Sequence, residues 1–88
     1  MNLQEIEKRL LAILEEAGPL LPKNELDEML ELVRAGEPGI GLENFCTQLL
    51  EYEVELPHVM LAEVANLGRA MGIQARYWER LKERPVVP

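Results

Sequence analysis

Apolar residues recur at helical spacing along most of this sequence, and glycine or proline interrupts each run after a few turns. Runs of this kind fold as amphipathic helices that bury one face. The composition agrees, because helix-favouring residues dominate, threonine occurs once and serine is absent. We therefore predict an all-α protein, a small antiparallel bundle of four helices plus a short C-terminal fifth helix.

Start and stop signals give the expected bounds of these helices. Asn2, followed by Glu5 three residues later, resembles a capping box that starts the first helix. Glycine or proline is expected at most of the other ends. The helices are expected to begin near residues 2, 22, 40, 57 and 74, and to stop near residues 17, 35, 51, 71 and 83. We predict one helical domain over residues 1–84, followed by a flexible tail at 85–88.

The apolar faces of the predicted helices supply the expected core. Its members are Leu3, Ile6, Leu10, Ile13, Leu14, Ala17, Leu26, Met29, Leu30, Val33, Leu42, Phe45, Cys46, Leu49, Met60, Leu61, Val64, Leu67, Met71, Trp78 and Leu81. Cys46 is the single cysteine, so we expect a buried, unreactive thiol, no internal disulfide and a reducing, cytoplasmic compartment. The N-terminus does not resemble a signal peptide, and no apolar run is long enough to cross a membrane.

Negative charge is concentrated in the middle of the sequence. The whole chain carries a formal charge of −7, and residues 25–55 hold nine acidic residues against one basic residue, Arg34. Nucleic acids and anionic lipids carry the same sign and are repelled by such a surface. We therefore expect a basic protein partner, with no nucleic acid and no membrane among the partners.

The sequence offers few groups for catalysis. An enzyme needs a nucleophile, a base, a metal site or a cofactor-binding loop. His58 is the single histidine and is expected to be exposed at a helix start; with one histidine and one cysteine, no Cys/His zinc site forms. The glycines at 36–41 are not directly followed by Lys, Ser or Thr, so they do not match a phosphate-binding loop. We predict no enzymatic activity, no cofactor and no metal.

The most unusual segment follows the third predicted helix. Over residues 51–56 the sequence alternates Glu51, Glu53 and Glu55 with Tyr52, Val54 and Leu56. An extended segment would place the three carboxylates on one side, at intervals of about 6.6–6.8 Å. Carboxylates at a helix C-terminus cost about 0.3–1 kcal/mol each, so folding gives no reason for them. We predict a surface for a cationic partner; the alternative is a solvated loop with long-range neutralisation by Arg76 or Arg80.

Further residues extend this predicted surface. Glu28 and Glu31 are like charges three positions apart in the second helix, and Glu43 adds an acid in the third. Tyr52 is either a rigid, amphipathic interface anchor or a core residue at the end of the third helix.

One stretch of the sequence resembles a known family. Its pattern is Gly36-Glu37, Leu42-Glu43-Asn44, Gln48-Leu49 and Glu51-Tyr52-Glu53, and then Leu56-Pro57, Leu67-Gly68 and Met71-Gly72. This pattern resembles the Maf-type immunity proteins, small cytosolic partners of bacterial polymorphic toxins. The resemblance implies a protein that binds one toxin domain, usually encoded beside it, and silences it.

The acidic middle of the sequence, the lack of catalytic groups and the resemblance to immunity proteins together predict one function. We expect an immunity protein that neutralises a cognate toxin, of a basic nuclease type, by one-to-one binding. The predicted partner-binding residues are Glu28, Glu31, Glu43, Glu51, Tyr52, Glu53 and Glu55. Two alternatives stay open: a helical adaptor with an exposed Leu/Met groove for a peptide, and a small enzyme or regulator whose pocket gathers His58 with two carboxylates. A homodimer through the Leu-rich first helix is also open.

Overall fold

The computed structural model describes residues 1–83, and over this part of the chain it is a bundle of five α-helices. They are α1 (Leu3–Ala17), α2 (Lys23–Arg34), α3 (Pro38–Glu51), α4 (His58–Ala70) and α5 (Arg76–Lys82), with a 3₁₀ turn at Gly18–Leu20. The predicted fold class, an all-α bundle of four helices plus a short fifth, is confirmed. The predicted tail at 85–88 lies outside the described residues.

Local sequence signals explain most of the helix ends. Asn2 caps α1, because its side-chain oxygen Oδ1 accepts a hydrogen bond from the Glu5 amide at 2.8 Å. The third helix begins at Pro38, earlier than predicted. Proline lacks an amide hydrogen and its φ suits a first helical turn, so Pro38 starts the helix. Pro57, predicted as the first residue of α4, is instead its N-cap.

Side chains from all five helices meet in one core. The largest fully buried side chains are Trp78, Phe45, Leu10, Leu14, Met29, Leu42, Leu49, Leu67, Val33, Val64 and Cys46. Leu26, Leu30, Met60, Met71 and Leu81 are half-buried and pack against this core. Leu3, expected inside, is 55% exposed at the first position of α1. The predicted apolar faces are therefore largely correct.

The fourth helix packs against the first and the last helix of the bundle. It contacts α1 and α5, while α3 contacts each of the other helices. Gly68 lets α5 come close, because the Trp78 ring covers it. A Cβ on Gly68 would lie 2.7 Å from Cη2 and 2.8 Å from Cε3 of that ring, closer than packed atoms approach.

Candidate functional site

The C-terminus of α3 carries the acidic residues that the sequence singles out, in a geometry that differs from the expected one. Glu51 is the last residue of the helix and Tyr52 is its C-cap. Glu53 has a φ of 54°, the left-handed conformation. The prediction of an extended segment over 51–56 is therefore wrong for its first half, since the helix continues to Glu51 and a tight turn follows. A regular row of carboxylates on one side does not form.

The turn after α3 is a Schellman motif. The Val54 amide donates to the Leu49 carbonyl at 2.9 Å, and the Glu53 amide donates to the Leu50 carbonyl at 3.2 Å. Val54 is half-buried and packs against the core, which fixes the chain after the turn. The motif explains why this segment leaves the helix here without a glycine or proline to stop it.

The same motif ends α2 and α4, with a glycine in the left-handed position. Gly36 has a φ of 83° and Gly72 a φ of 71°. Their amides donate to Val33 and Arg69, in the same pattern as that of Glu53. Glycine has no Cβ and tolerates this conformation, whereas an L-residue with a side chain pays about 1–2 kcal/mol. Glu53 therefore occupies a position for which folding favours glycine.

The electrostatics at this helix end are also unfavourable. The last turns of α2 and α4 contain Arg34 and Arg69, which complement the negative end of a helix dipole. The last turn of α3 contains no basic residue. Glu51, Glu53 and Glu55, hereafter the acidic end, are all exposed there. Backbone preference therefore disfavours Glu53, and helix electrostatics disfavours Glu51 and Glu53; α1 likewise ends with two glutamates, Glu15 and Glu16, and no basic residue in its last turn.

Within residues 1–83, no ion pair neutralises the acidic end. The ion pairs in this part of the chain join Arg9 to Glu5 and Glu63, and Lys23 to Asp27. Arg76, expected as a possible counter-charge, instead places its guanidinium carbon 5.4 Å from the centre of the Tyr77 ring. Arg80 makes no ion pair with another described residue. Direct pairing of these glutamates with Arg76 or Arg80 is therefore absent among the described residues, and a solvated loop with long-range neutralisation by these arginines stays an alternative.

The remaining predicted partner-binding residues are spread over the neighbouring surface. Tyr52 is 47% exposed, so it is not a core residue. Glu28 and Glu31 are exposed on α2, and Glu43 is half-buried on α3. Glu43 precedes Glu51 by eight residues, which is about 12 Å along a helix axis. These acids belong to a broad surface and do not form a compact cluster with the acidic end.

A cavity adjoins the acidic end, and the sequence did not predict it. It has a volume of about 700 Å³ and lies between the segment after α3, the start of α4 and the end of α5. Its lining residues are Val54, Glu55, Leu56, His58, Leu61, Ala62, Leu81 and Lys82. We call it the α4/α5 cavity. The alternation of Val54 and Leu56 with glutamates was a visible signal for an apolar wall, but the α5 contribution depends on tertiary packing.

A second concavity lies on the other side of α4. This α1/α4 groove has a volume of about 710 Å³, and its lining includes Ala12, Ile13, Val59 and Met60. Arg9 crosses the groove, where its Nε donates to Oε2 of Glu63 at 2.9 Å and its Nη2 donates to Oε1. The hydrogen bond to Glu63 raises the pKa of the Arg9 guanidinium above its usual value. One carboxylate of this groove, Glu63, is therefore already paired with an arginine of the same protein.

The described residues hold little catalytic chemistry. Burial raises the pKa of the Cys46 thiol to about 12, so it stays protonated at neutral pH. His58 is exposed and shares the α4/α5 cavity with one carboxylate, Glu55, and with Lys82. No group of three potential metal ligands occurs within residues 1–83. None of the helices in this range combines the length and the apolar character that crossing a membrane requires.

Comparisons with known proteins add no relative. The chain matches no protein-family model, and neither a curated protein nor a solved structure is significantly similar to it. The resemblance to Maf-type immunity proteins therefore stays a prediction from the residues that carry it.

Proposed function

We propose that this protein is an immunity protein, which binds a cognate bacterial toxin domain and neutralises it through an acidic surface. The observation that carries the proposal is the acidic end of α3. Its three glutamates are exposed and make no ion pair within residues 1–83; Glu51 ends a helix without a basic residue in its last turn, and Glu53 has a left-handed backbone. A cationic partner would supply the counter-charge that this part of the chain does not.

Occlusion is the mechanism that fits such a surface. A basic toxin, such as a nuclease with a cationic surface for phosphates, would meet the acidic end first, because long-range attraction accelerates encounter. Tyr52 would then contribute a half-exposed, rigid anchor next to the charges. Since the backbone turns at Glu53, the attraction comes from summed charge and does not require carboxylates spaced like phosphates.

The wider acidic surface supports the same proposal. Glu28 and Glu31 on α2, together with Glu43 on α3, would extend the field around the acidic end without touching the same part of the partner. We therefore expect them to affect the association rate and its dependence on salt. We expect Tyr52 to affect mainly the dissociation rate.

Co-expression with the toxin is the experiment that tests this proposal. The toxin gene expected beside this one would be expressed with the parent protein or with a variant carrying Glu→Gln at 51, 53 and 55. Cells should survive with the parent and be less protected by the variant. A matched variant with Glu→Gln at 7, 15 and 16 on α1 removes the same charge and should protect like the parent. No complex between the parent and the toxin would overturn the proposal.

A helical adaptor is the second candidate, and the α1/α4 groove favours it. Val59 lines this groove and is 84% exposed, which is unusual for an aliphatic side chain. An amphipathic peptide bound there would depend weakly on salt, because its main contribution would be apolar burial. Loss of partner binding in Val59→Asp, with no effect of the triple Glu→Gln change, would favour the adaptor.

A further inference from the structure

We propose that the protein partner docks along the exposed side of α3, through a basic surface whose apolar centre contacts Ile40 and Leu50. We call this side of the helix the α3 face; its residues are Ile40, Glu43, Asn44, Thr47, Leu50 and Glu51. The inference rests on the proposed function, because it names the surface through which that partner is bound. It adds two apolar contacts to a site that the acidic residues and Tyr52 defined so far.

The spacing of these residues places them on one side of the helix. They recur at intervals of three, four and seven positions, which align side chains along one stripe of an α-helix. Ile40, Thr47, Leu50 and Glu51 are exposed, and the other two residues are half-buried. The opposite side of α3 is buried in the core. The α3 face is therefore a continuous outer surface, about 16 Å long from residue 40 to residue 51.

Exposed apolar side chains are concentrated on this helix. Because α3 contacts each of the other helices, its apolar residues are the ones that the bundle is best placed to cover. Ile40 is nevertheless 50% exposed and Leu50 is 37% exposed, and the half-exposed Tyr52 follows as the C-cap. The other large exposed apolar side chains within residues 1–83 are scattered: Met1, Leu3, Leu20 and Val59. Exposed apolar groups among polar ones on a single surface are typical of a protein–protein interface.

The charge of α3 fixes the sign of the partner surface. Of the α-helices within residues 1–83, α3 is the one that contains no Lys or Arg. It contains Glu43 and Glu51, and Glu53 and Glu55 follow in the next segment. None of these four carboxylates makes an ion pair within residues 1–83. The complementary surface is therefore basic, and an acidic partner would be repelled.

The second helix shows the same acidic character without the apolar contacts. It contains Lys23 and Arg34 as well as acids, and Lys23 pairs with Asp27 at 2.8 Å. None of its Leu, Met or Val side chains is exposed. The outer side of α2 is thus an ordinary solvated helix surface, whereas the α3 face combines exposed apolar side chains with acids alone.

The first experiment maps the contact by NMR, with the labelled parent protein and the toxin domain encoded beside it. Binding should shift or broaden the amide signals of residues 40–55 most strongly. Signals from the α1/α4 groove, at residues 9–16 and 57–66, should change less. The largest changes in the groove, with residues 40–51 unaffected, would overturn the assignment to the α3 face.

Replacing the two apolar residues measures their share of the binding. Ile40→Gln combined with Leu50→Gln leaves the charge unchanged, so the dissociation rate should rise about tenfold while the association rate stays near that of the parent. The matched control combines Leu3→Gln with Leu20→Gln, which are at least as exposed and lie outside the α3 face. It should dissociate like the parent. Equal dissociation rates of the two double variants would overturn the proposal.

A third variant tests the same face with both apolar side chains in place. Thr47 is exposed, and its hydroxyl donates to the Glu43 carbonyl one turn earlier at 2.9 Å, a contact within α3. Thr47→Arg places a bulky cation at the centre of the α3 face and should weaken toxin binding at least about tenfold. Ala70→Arg adds the same side chain at the exposed end of α4 and should bind within about twofold of the parent. Equal losses in the two variants would contradict the assignment.

These measurements separate the failure of this assignment from the failure of the proposed function. A parent protein that does not bind the toxin would remove the immunity proposal, and the docking surface with it. A parent that binds the toxin, with unchanged rates in the variants of the α3 face, would leave the immunity proposal standing and overturn the α3 face alone.

Discussion

The two concave surfaces beside α4 differ in one respect: the first contains a half-buried ion pair, and the second contains no ion pair within residues 1–83. The groove toward α1 and the cavity toward α5 have similar volumes, about 710 and 700 Å³. In the groove, Glu63 is half-buried and held by Arg9, whereas Glu16 is exposed and has no ion pair within residues 1–83. In the cavity, Glu55 is exposed and has no ion pair within residues 1–83. Within residues 1–83, the fold therefore pairs the half-buried carboxylate, Glu63, and leaves the exposed carboxylates Glu16 and Glu55 without an ion pair.

Substitution of Gly68 tests whether α5 is held against α4 tightly enough to define the cavity. We expect Gly68→Ala to destabilise the protein by about 1–3 kcal/mol, since the added Cβ overlaps the buried Trp78 ring and neither can move freely. Chemical denaturation measures the change. Gly39→Ala is the matched control, because its Cβ would lie 3.8 Å from Ile73, an ordinary contact. Equal stabilities of the two variants would contradict this packing.

The buried thiol of Cys46 gives a pH test of the core shared by both surfaces. Its pKa is about 12 in the folded protein and near 9 when unfolded, so the unfolded state loses the proton first. The stabilising contribution is complete below pH 9 and is lost as the pH rises toward 12. At pH 10 we expect a loss of about 1 kcal/mol relative to pH 8. Denaturation of Cys46→Ala, which lacks this titration, should show a shallower decline; an identical decline would contradict burial of the thiol.

Replacing Glu53 by glycine tests how much this residue lowers the free energy of unfolding. We expect Glu53→Gly to stabilise the protein by about 0.5–1 kcal/mol, because it relieves the left-handed conformation and removes a carboxylate from a helix C-terminus. Thermal denaturation measures the gain. The reverse change, Gly72→Glu, should destabilise by a similar amount, since no atom within 4 Å obstructs a Cβ there and the backbone cost remains. A destabilised Glu53→Gly variant would show that folding does need this glutamate.

Removing one carboxylate from each of the two concave surfaces compares the surfaces directly. These substitutions should have the smallest effects on stability. Glu63→Gln should lower the melting temperature, because it breaks the hydrogen-bonded pair with Arg9. Glu55→Gln should leave the melting temperature unchanged or raise it slightly. Parallel thermal melts at low and high salt measure both. Equal losses in the two variants would remove the difference between the two surfaces.

Much of this fold is readable from the sequence, for reasons that particular residues make clear. Asn2, Gly36 and Gly72 act through local backbone preferences, so the ends that they mark were predicted closely. The acidic residues of the acidic end were identified from the sequence because their exposure follows from their charge and does not depend on how the helices pack. The turn at Glu53 was missed, since glutamate rarely occupies the left-handed position and the alternation indicated an extended segment.

The cavities could not be predicted from the sequence. Residues that line the α4/α5 cavity come from three separate elements, and the approach of α5 depends on Trp78 stacking over Gly68. The Arg9–Glu63 pair joins residues 54 positions apart, a distance that no local pattern reveals. Such features depend on how the helices pack, which periodicity alone does not specify.

The association rate with the toxin, measured by stopped flow over a range of salt concentrations, tests the central claim most directly. We predict that the parent protein associates faster at low salt, and that Glu→Gln at 51, 53 and 55 slows association about tenfold and flattens the salt dependence. The matched change at 7, 15 and 16 should alter the rate much less. Equal rates and equal salt dependence for the parent and the variant of the acidic end would contradict the claim that these carboxylates serve a cationic partner.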